Sequence, residues 1–289
     1  PTIKDGLTRL NKFRSGSIDL TRIERQDISG LVADAAFKDQ VTYYPRASLY
    51  YVGMNLSAPI FKDRRVRQAI GMAIDRETIV KDTLGGANEI ANGILPPGVF
   101  GHRADVKGLL FDPAKAKALL AEAGVTPDRF GSLVIYHRDG QPDVKLVAER
   151  VATDLKSNLG IDCKASMLTW SSYLDRHTKK DLPFFHMRWG ADYLDAENFL
   201  SNLLASYGAE NKINYENPAY DALCARADTM VNDDDARKKL YAQAEDLVLQ
   251  DAPFIPIYFQ RDAELVSPRV SGMRESVFGH LPHTTTTLR

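Results

Sequence analysis

The stretch from residue 132 to residue 168 alternates strand and helix patterns, and this alternation is the strongest constraint on the fold. An apolar, β-branched segment at 132–137 precedes an amphipathic helical pattern at 143–160, which ends at a glycine, and a second strand pattern follows at 161–168. Strands joined by helices of this length form α/β units. We therefore expect an α/β protein built on a mostly parallel or mixed sheet.

Other segments repeat these two patterns. Asp112 and Pro113 are typical of the start of a helix and Gly124 of its end. Buried strands are predicted at 183–189 and 254–259, where apolar and aromatic residues run together.

The two ends of the chain are expected to belong to an incomplete domain. The first residues show helical spacing from Ile3 onward, so the chain is expected to begin inside an amphipathic helix, as an excised piece of a longer protein would. A turn at Pro45 is predicted to separate two strands. Residues 1–48 and 260–289 together are too short for a core of their own, so part of their domain is expected to be missing.

The composition excludes several classes of partner. The formal net charge is −1, which gives no reason to expect DNA or RNA as a partner. No apolar run approaches the roughly 18 residues that a membrane-spanning helix needs. At 289 residues, the chain has the length of about two domains.

Familiar catalytic patterns are absent from the sequence. It holds no phosphate-binding loop, no GxSxG and no HExxH. The six histidines are scattered, and only His280 and His283 are near neighbours, in a tail where solvated side chains are expected rather than a metal site. We expect neither a metal nor a cofactor.

Two aspartates within residues 187–200, Asp192 and Asp195, are consistent with an acid/base pair, metal ligands, a clamp for a cation or helix caps. Asp195 directly precedes a helical pattern and is expected to be an N-cap. Asp192 falls in the turn that follows a strand, where α/β sheets bind ligands. The sequence does not identify a group that would raise the pKa of one carboxyl, as a catalytic pair requires.

The neighbours of Asp192 favour a clamp. Trp189 offers an apolar plate, and Gly190 and Ala191 leave the backbone accessible. A carboxylate beside such groups suits a cationic, peptide-like ligand whose backbone pairs with a strand edge.

Six segments together resemble one family, the extracellular solute-binding proteins of peptide and nickel ABC importers, which include the oligopeptide- and dipeptide-binding proteins. These segments are FKDRRVRQAIGMAIDRETIV (61–80), ANGILPPG (91–98), FDPAKAKALLAEAG (111–124), WGADYLDAENFL (189–200), NYENPAYDALCARA (214–227) and APFIPIYF (252–259). They occur in the order of the family and cover nearly the whole chain.

The resemblance implies a two-lobed fold of the periplasmic-binding-protein class, type II, in its peptide-binding form. The chain resembles the C-terminal part. Residues 49–259 then correspond to the second α/β lobe, and residues 1–48 and 260–289 to an incomplete part of the larger lobe. Strands at about 44–55 and 254–262 correspond to the crossovers between the lobes.

The resemblance also implies roles for single residues. In peptide-binding members the acid of this motif holds the α-amino group of the ligand, which maps onto Asp192, with Trp189 as the plate and Gly190 and Ala191 as backbone partners. The first crossover lies close to this turn in the family, which makes Arg46 and Tyr51 further candidates for the cleft.

Arg188 departs from the family, in which a small residue commonly precedes the tryptophan. Its side chain is expected either to narrow the pocket or to bind an anion. Some oligopeptide binders join the crossover to the tryptophan turn by a disulfide, but those two positions read Ser48 and Gly190 here.

The implied function is the substrate-binding component of an ABC importer, which is not an enzyme and works as a monomer with a membrane permease. The implied location is periplasmic or extracellular, with membrane anchoring through a missing N-terminus as an option. The alternatives are a sensor domain of a transcription regulator, or a binder of a nickel complex, an opine or an oligosaccharide.

The cysteines Cys163 and Cys224 match neither bridge position and are expected to be unpaired. Thiol titration in denaturant without reductant should therefore find two free groups per chain. Finding none in freshly purified protein would contradict this expectation.

Overall fold

The computed structural model describes residues 3–280 and 284–289, in which helices and strands alternate. The α-helices are α1 (Gly6–Arg14), α2 (Arg25–Ala33), α3 (Arg64–Ala73), α4 (Arg76–Thr78), α5 (Pro113–Glu122), α6 (Pro142–Leu159), α7 (Trp170–Thr178), α8 (Ser201–Leu204), α9 (Pro218–Asp228) and α10 (Asp234–Asp251). The strands are β1 (Leu20–Arg22), β2 (Val41–Met54), β3 (Glu89–Ile90), β4 (Leu133–Arg138), β5 (Cys163–Leu168), β6 (Phe184–Gly190), β7 (Phe254–Val266), β8 (Val270–Ser271), β9 (Glu275–Ser276), β10 (Gly279–His280) and β11 (Thr287–Leu288).

The main sheet is mixed, which confirms the expected α/β class. Its strands follow the order β1-β7-β2-β6-β4-β5, and β3 also pairs with β7. β4 runs parallel to both β5 and β6, whereas β2 runs antiparallel to β6 and β7. The parallel part is built from the α/β unit predicted at 132–168, with α6 as the crossover helix between β4 and β5.

β2 and β7 form a long antiparallel pair with a β-bulge. Pro45 pairs with Arg261 and Leu49 with Phe259, so β2 contains extra residues at this point. The predicted turn at Pro45 is therefore wrong, because β2 continues through this residue. The bulge accommodates the proline, which has no N–H to donate to the ladder.

Alternate residues of β2 belong to two hydrophobic cores on the two faces of the sheet. On one face, Tyr50 and Val52 pack with apolar side chains of α3, α5 and α6. On the other face, Leu49 and Tyr51 pack with side chains of α9 and α10. Both faces of the sheet are covered, as expected for an α/β layer structure.

A third, small cluster lies at the far end of β7. It joins Leu10 of α1 and Leu31 of α2 to Leu265 of β7. This cluster is separate from the other two, but the division of the chain into lobes at residues 49 and 259 stays a prediction.

The structure corrects two expectations and confirms another. α1 begins at Gly6, after an N-cap in which the Asp5 carboxylate accepts a hydrogen bond from the Thr8 N–H at 2.8 Å, so the described chain does not begin inside a helix. The helix predicted after Asp195 is broken into a 3₁₀ turn and the short α8. Cys163 and Cys224 are both unpaired, as predicted.

Nothing in the described ranges has the helical length and apolar composition that crossing a membrane requires.

Arg46 and Asp262 form a clasp across the bulged pair. The Arg46 Nε donates to Asp262 Oδ2 at 2.7 Å, and its Nη1 donates to the Ser276 carbonyl at 2.9 Å. Arg22 of β1 also reaches Asp262, at 2.6 Å. Burial by itself raises the pKa of Asp262, but the hydrogen bond from Arg46 and the charge of Arg22 outweigh it and hold the pKa below its usual value.

We predict that Asp262→Asn lowers the free energy of unfolding at pH 7 by about 1.5–3 kcal/mol, because the nearly buried Arg46 guanidinium loses its nearer carboxylate partner. Glu275 Oε2 remains 3.5 Å from Arg46 Nη1, so the arginine is not left without a charged partner. Arg22→Gln removes a side chain that is 58% exposed, and this control should cost less than about 1 kcal/mol.

The same clasp predicts a pH dependence. The pKa of Asp262 is lower in the folded state than its unfolded value of about 3.9, so the stabilisation is present above that pH and is lost as the pH falls through the folded-state pKa. Urea unfolding at pH 7 and under acid conditions should therefore show that the free energy of unfolding falls less on acidification in Asp262→Asn than in the parent protein. An Asp262→Asn variant as stable as the parent at pH 7 would contradict the clasp.

Candidate functional site

The segment of residues 187–200 begins at the edge of the sheet where three strands end. β4 ends at Arg138, β5 at Leu168 and β6 at Gly190, and the parallel pairing of β4 with the other two places these ends on one edge. Ligands of α/β sheets bind beyond this edge. Residues 190–195, called the site turn below, follow β6 at this position.

Two predicted site residues point away from each other. Arg188 pairs with Tyr50, which belongs to the core containing α6, whereas Trp189 pairs with Leu49 and packs against the opposite core. Side chains of successive strand residues face opposite sides of a sheet. The two residues therefore do not form one surface.

A buried asparagine holds the site turn from below. Asn198 is fully buried, and its Oδ1 accepts hydrogen bonds from the Trp189 indole Nε1 at 2.9 Å and from the Asp192 backbone N–H at 3.3 Å. The amide oxygen thus fixes the tryptophan plate and the backbone of the turn at the same time.

The bulge of β2 holds the same turn from the side. The Ala191 N–H donates to the Ala47 carbonyl at 2.8 Å, and the Ser48 hydroxyl donates to the Trp189 carbonyl at 3.2 Å. Gly190 pairs directly with Ser48. Ala191 already donates its N–H within the protein. Only its carbonyl can therefore act as the predicted backbone partner of a ligand.

Asp192 has a different environment from Asp195. Its side chain is exposed, and among the residues that the structure describes its carboxylate has no hydrogen-bonding or ion-pair partner. Its backbone is held by Asn198, so the turn presents this carboxylate to solvent from a fixed position.

Asp195 is the N-cap that the sequence predicts, because its carboxylate accepts a hydrogen bond from the Glu197 N–H at 2.9 Å. It also forms a two-fold ion pair with Arg237 of α10, with N–O distances of 2.6 and 2.8 Å. The Arg237 guanidinium lies 4.9 Å from the centre of the Phe100 ring. Both acceptor oxygens are therefore engaged, which leaves Asp195 unsuited to ligand binding.

Asn198 and Arg237 were not anticipated from the sequence. Asn198 lay within an expected helix, where a polar residue attracts no attention. Arg237 is 42 residues from Asp195 in a segment rich in charge, and no local pattern connects them.

Arg188 lies in the wall of a cavity of about 490 Å³, between the beginnings of α2 and α6. Its side chain is exposed, and it overlies Gly190 so closely that a Cβ added there would lie 2.5 Å from the guanidinium Nη2. A glycine at this position leaves room for the arginine to lie along the strand.

The remaining candidates lie elsewhere. Tyr51 is 4% exposed and packs against Phe185 and Phe254, where burial raises the pKa of its hydroxyl. Arg46 belongs to the clasp with Asp262. The structure thus brings together Trp189 and the residues of the site turn, and leaves the binding roles of all the candidates as predictions.

Two histidines, His177 of α7 and His186 of β6, are buried. Burial lowers the pKa of His177 to about 4 and that of His186 to about 3, so both are neutral at pH 7. Among residues 3–280 and 284–289, no three His, Cys, Asp or Glu side chains group as metal ligands would. His283 lies outside these residues.

Comparison with known proteins gives consistent matches. Residues 1–211 match the family described as bacterial extracellular solute-binding proteins, family 5 Middle. The chain is 34% identical over 278 residues to the probable deoxycholate-binding periplasmic protein YgiS of Escherichia coli, a match that covers 93% of this chain and 50% of that protein. It is 31% identical over 276 residues to the periplasmic oligopeptide-binding protein OppA of Salmonella typhimurium, with the same two coverages.

Among solved structures, the unliganded open form of the periplasmic murein tripeptide-binding protein MppA matches with a TM-score of 0.83 and 27% identity. The match covers 99% of this chain and 56% of that chain. The chain thus spans about half the length of the relatives it matches.

The two carboxylates of this segment should respond differently to mutation. Asp195→Ala removes a cap and a two-fold ion pair, and we expect it to lower the free energy of unfolding by about 2–3 kcal/mol. Asp192→Ala is the matched control, and it should change stability by less than about 0.5 kcal/mol because no intramolecular partner is lost. Urea unfolding measures both, and equal losses would contradict the assigned roles.

Proposed function

The chain belongs to the bacterial extracellular solute-binding proteins of family 5, and on this premise we propose that it forms part of the substrate-binding component of an ABC importer. That component captures a peptide-like solute in a cleft between two lobes and delivers it to a membrane permease. The relatives are about twice as long as this chain, which supports a complete protein with a further lobe facing the site turn.

The lobe assignment is part of the proposal. Residues 49–259 form one lobe, while residues 1–48 and 260–289 belong to the larger one, with β2 and β7 as the crossovers. The separate small core of α1, α2 and the end of β7 supports this division.

The unpaired carboxylate of Asp192 is the observation that carries the proposal. It is presented by a turn that two independent sets of hydrogen bonds hold in place, next to an indole ring whose orientation Asn198 fixes. A rigid, solvated carboxylate beside an apolar plate suits a ligand amine with an adjoining apolar group. The α-amino end of a peptide has both.

The names of the relatives support a peptide without excluding other solutes. OppA is named for oligopeptides and MppA for a murein tripeptide. YgiS is named for deoxycholate, which makes a non-peptide solute the second candidate. The two candidates differ in whether the solute must carry a free amine. The Asp192 clamp requires one, and a bile salt such as deoxycholate has no amine.

We propose binding without catalysis. The site turn offers one unpaired carboxylate, since Asp195 is engaged with Arg237, and the buried His177 and His186 are neutral. Acid/base chemistry at this edge would need a second group of matched pKa.

The relatives are named as periplasmic proteins, and we propose the same compartment for this protein, as a monomer that docks on its permease. Attachment to the membrane through a segment preceding residue 1 is the alternative arrangement.

We predict that Asp192→Asn in the complete two-lobed protein weakens binding of a free peptide by about 2–4 kcal/mol, the usual loss for one partner of a buried charge pair. Acetylation of the peptide amine should cause a similar loss. Calorimetry with the peptide identified by native mass spectrometry of the purified protein gives all four affinities of the cycle.

The affinity of Asp192→Asn for the acetylated peptide shows whether the carboxylate and the amine meet. If carboxylate and amine meet, the double change costs little more than either single change. Losses that add would show that the two groups never meet, and the clamp would be wrong. Asp195→Ala should leave affinity nearly unchanged at a temperature where it remains folded.

A further inference from the structure

Two buried histidines flank the strand that leads to the site turn. His186 lies within β6, is 1% exposed and shares a face of the sheet with Tyr50, whose ring centre is 5.8 Å away. His177 of α7 is 5% exposed and lies against the opposite face, edge-on to Phe185 with ring centres 5.0 Å apart. An imidazole is therefore buried on each side of β6.

These imidazoles lack hydrogen bonds that buried polar groups normally have. Within residues 3–280 and 284–289, both ring nitrogens of His186 and the Nε2 of His177 are buried without a hydrogen-bond partner. Native proteins satisfy nearly all such groups. A neutral imidazole has one N–H donor and a charged one has two, so protonation of His186 in place would leave two buried donors without acceptors.

The groups that face His186 disfavour a positive charge. Burial is the main influence that lowers its pKa, and the positive fields of His137 and Arg138 on the neighbouring β4 act in the same direction. The backbone of Val144 in α6 opposes them without outweighing them. Tyr50 offers no negative charge, because burial raises the pKa of its hydroxyl.

His177 has a similar environment on the other face. Burial is again the largest influence that lowers its pKa, and the charge of Lys212 adds to it. The aromatic rings of Tyr173 and Phe185 pack against the imidazole. Both histidines are therefore neutral in the folded state at a pH where an exposed histidine is charged.

β6 connects the two histidines to the site turn. It lies between β2 and β4 in the main sheet and ends at Gly190. The Tyr173 hydroxyl of α7 donates to the His186 carbonyl at 2.9 Å, and the Tyr173 ring stacks on that of His177. Release of β6 from the sheet would give both imidazoles access to water, and it would leave the site turn without the strand that carries it.

We propose that His177 and His186 make the site acid-sensitive, since mild acid favours the state in which β6 has left the sheet. The proposal adds regulation by pH to the binding function proposed above, and its relevance to solute capture rests on that function. The imidazoles take up protons when water reaches them, so acid stabilises the opened state relative to the folded one.

The direction of the pH effect follows from the two rings. Their pKa values are about 4 for His177 and about 3 for His186 in the folded state, against about 6.5 for an exposed histidine. Their stabilising effect is complete above about pH 6.5 and is lost as the pH falls towards the folded-state values. Between pH 7 and pH 5, each ring should raise the unfolding constant roughly 20-fold, and both together about 400-fold.

Tryptophan fluorescence reports on this part of the molecule. The chain has two tryptophans, Trp170 in α7 and Trp189 in β6. Urea unfolding of the 289-residue chain at pH 7 and pH 5 gives the ratio of the two unfolding constants, and we expect a ratio of about 400. The ratio should fall roughly 20-fold in His177→Leu and in His186→Leu, because leucine has a similar volume and takes up no proton.

His102→Gln is the matched control. The His102 ring is partly exposed, and its Nδ1 has a hydrogen-bond partner in the Leu95 carbonyl at 2.7 Å. This variant should leave the ratio unchanged within about twofold. The Asp262 carboxylate contributes below the chosen range, because its pKa in the folded state is lower than its usual value.

NMR of the imidazole nitrogens tests the proposal in the parent chain, even where a leucine variant does not fold. The signals of His177 and His186 should stay at their neutral positions in the folded chain between pH 7.5 and pH 5. Titration of both rings near pH 6.5 would overturn the proposal, and so would leucine variants that keep the ratio of the parent.

No solute enters these measurements, so their outcome does not depend on the Asp192 cycle. An additive Asp192 cycle alongside the expected pH ratios would remove the peptide clamp and leave the acid sensitivity of the sheet intact.

Discussion

The pairing of β2 with β7 is the interaction on which the rest of the structure depends. These strands of 14 and 13 residues lie side by side at the centre of the sheet, and each of the three hydrophobic clusters includes residues of at least one of them. Their side chains alternate between two covered faces, so a shift of register by one residue would place both cores on the wrong side. The Arg46–Asp262 ion pair fixes that register where the ladder is interrupted.

The site is a consequence of this pairing. The bulge turns the backbone of Ala47 away from β7, so that its carbonyl accepts from Ala191 in the site turn and its N–H donates to Val277. Asn198 and the Asp195–Arg237 pair complete the support from the opposite side. Asp192 is thus a solvated group on a rigid base, which reduces the entropy lost when a ligand is bound.

The sequence predicted those features that depend on neighbouring residues. The start of α5 after Asp112, the end of α6 at Gly160 and the cap at Asp195 follow from local hydrogen bonding and backbone conformation. The alternation of side chains along β6 is equally local. It indicates from the sequence alone that Arg188 and Trp189 face opposite sides of the sheet, although both were predicted to bind the solute.

Features that depend on distant residues were missed. The strand continues through Pro45 because β7 supplies a bulged partner, which no pattern near residue 45 reveals. α10 supplies Arg237 to Asp195, and α2 supplies Arg25 to Asp143 across the cavity, over separations of 42 and 118 residues. In both cases the tertiary fold selects the partner.

The β-bulge has a mechanical consequence. An antiparallel strand pair is stiffer where ladder hydrogen bonds join it and more compliant where they are interrupted, so a torque applied along β2 and β7 concentrates its elastic strain between Pro45 and Leu49. An ion pair such as Arg46–Asp262 tolerates angular change better than a ladder does, and it keeps the compliant section joined while it bends. Since the Ala191 N–H donates to the Ala47 carbonyl within that section, bending of the strand pair there should displace the site turn and Asp192 with it.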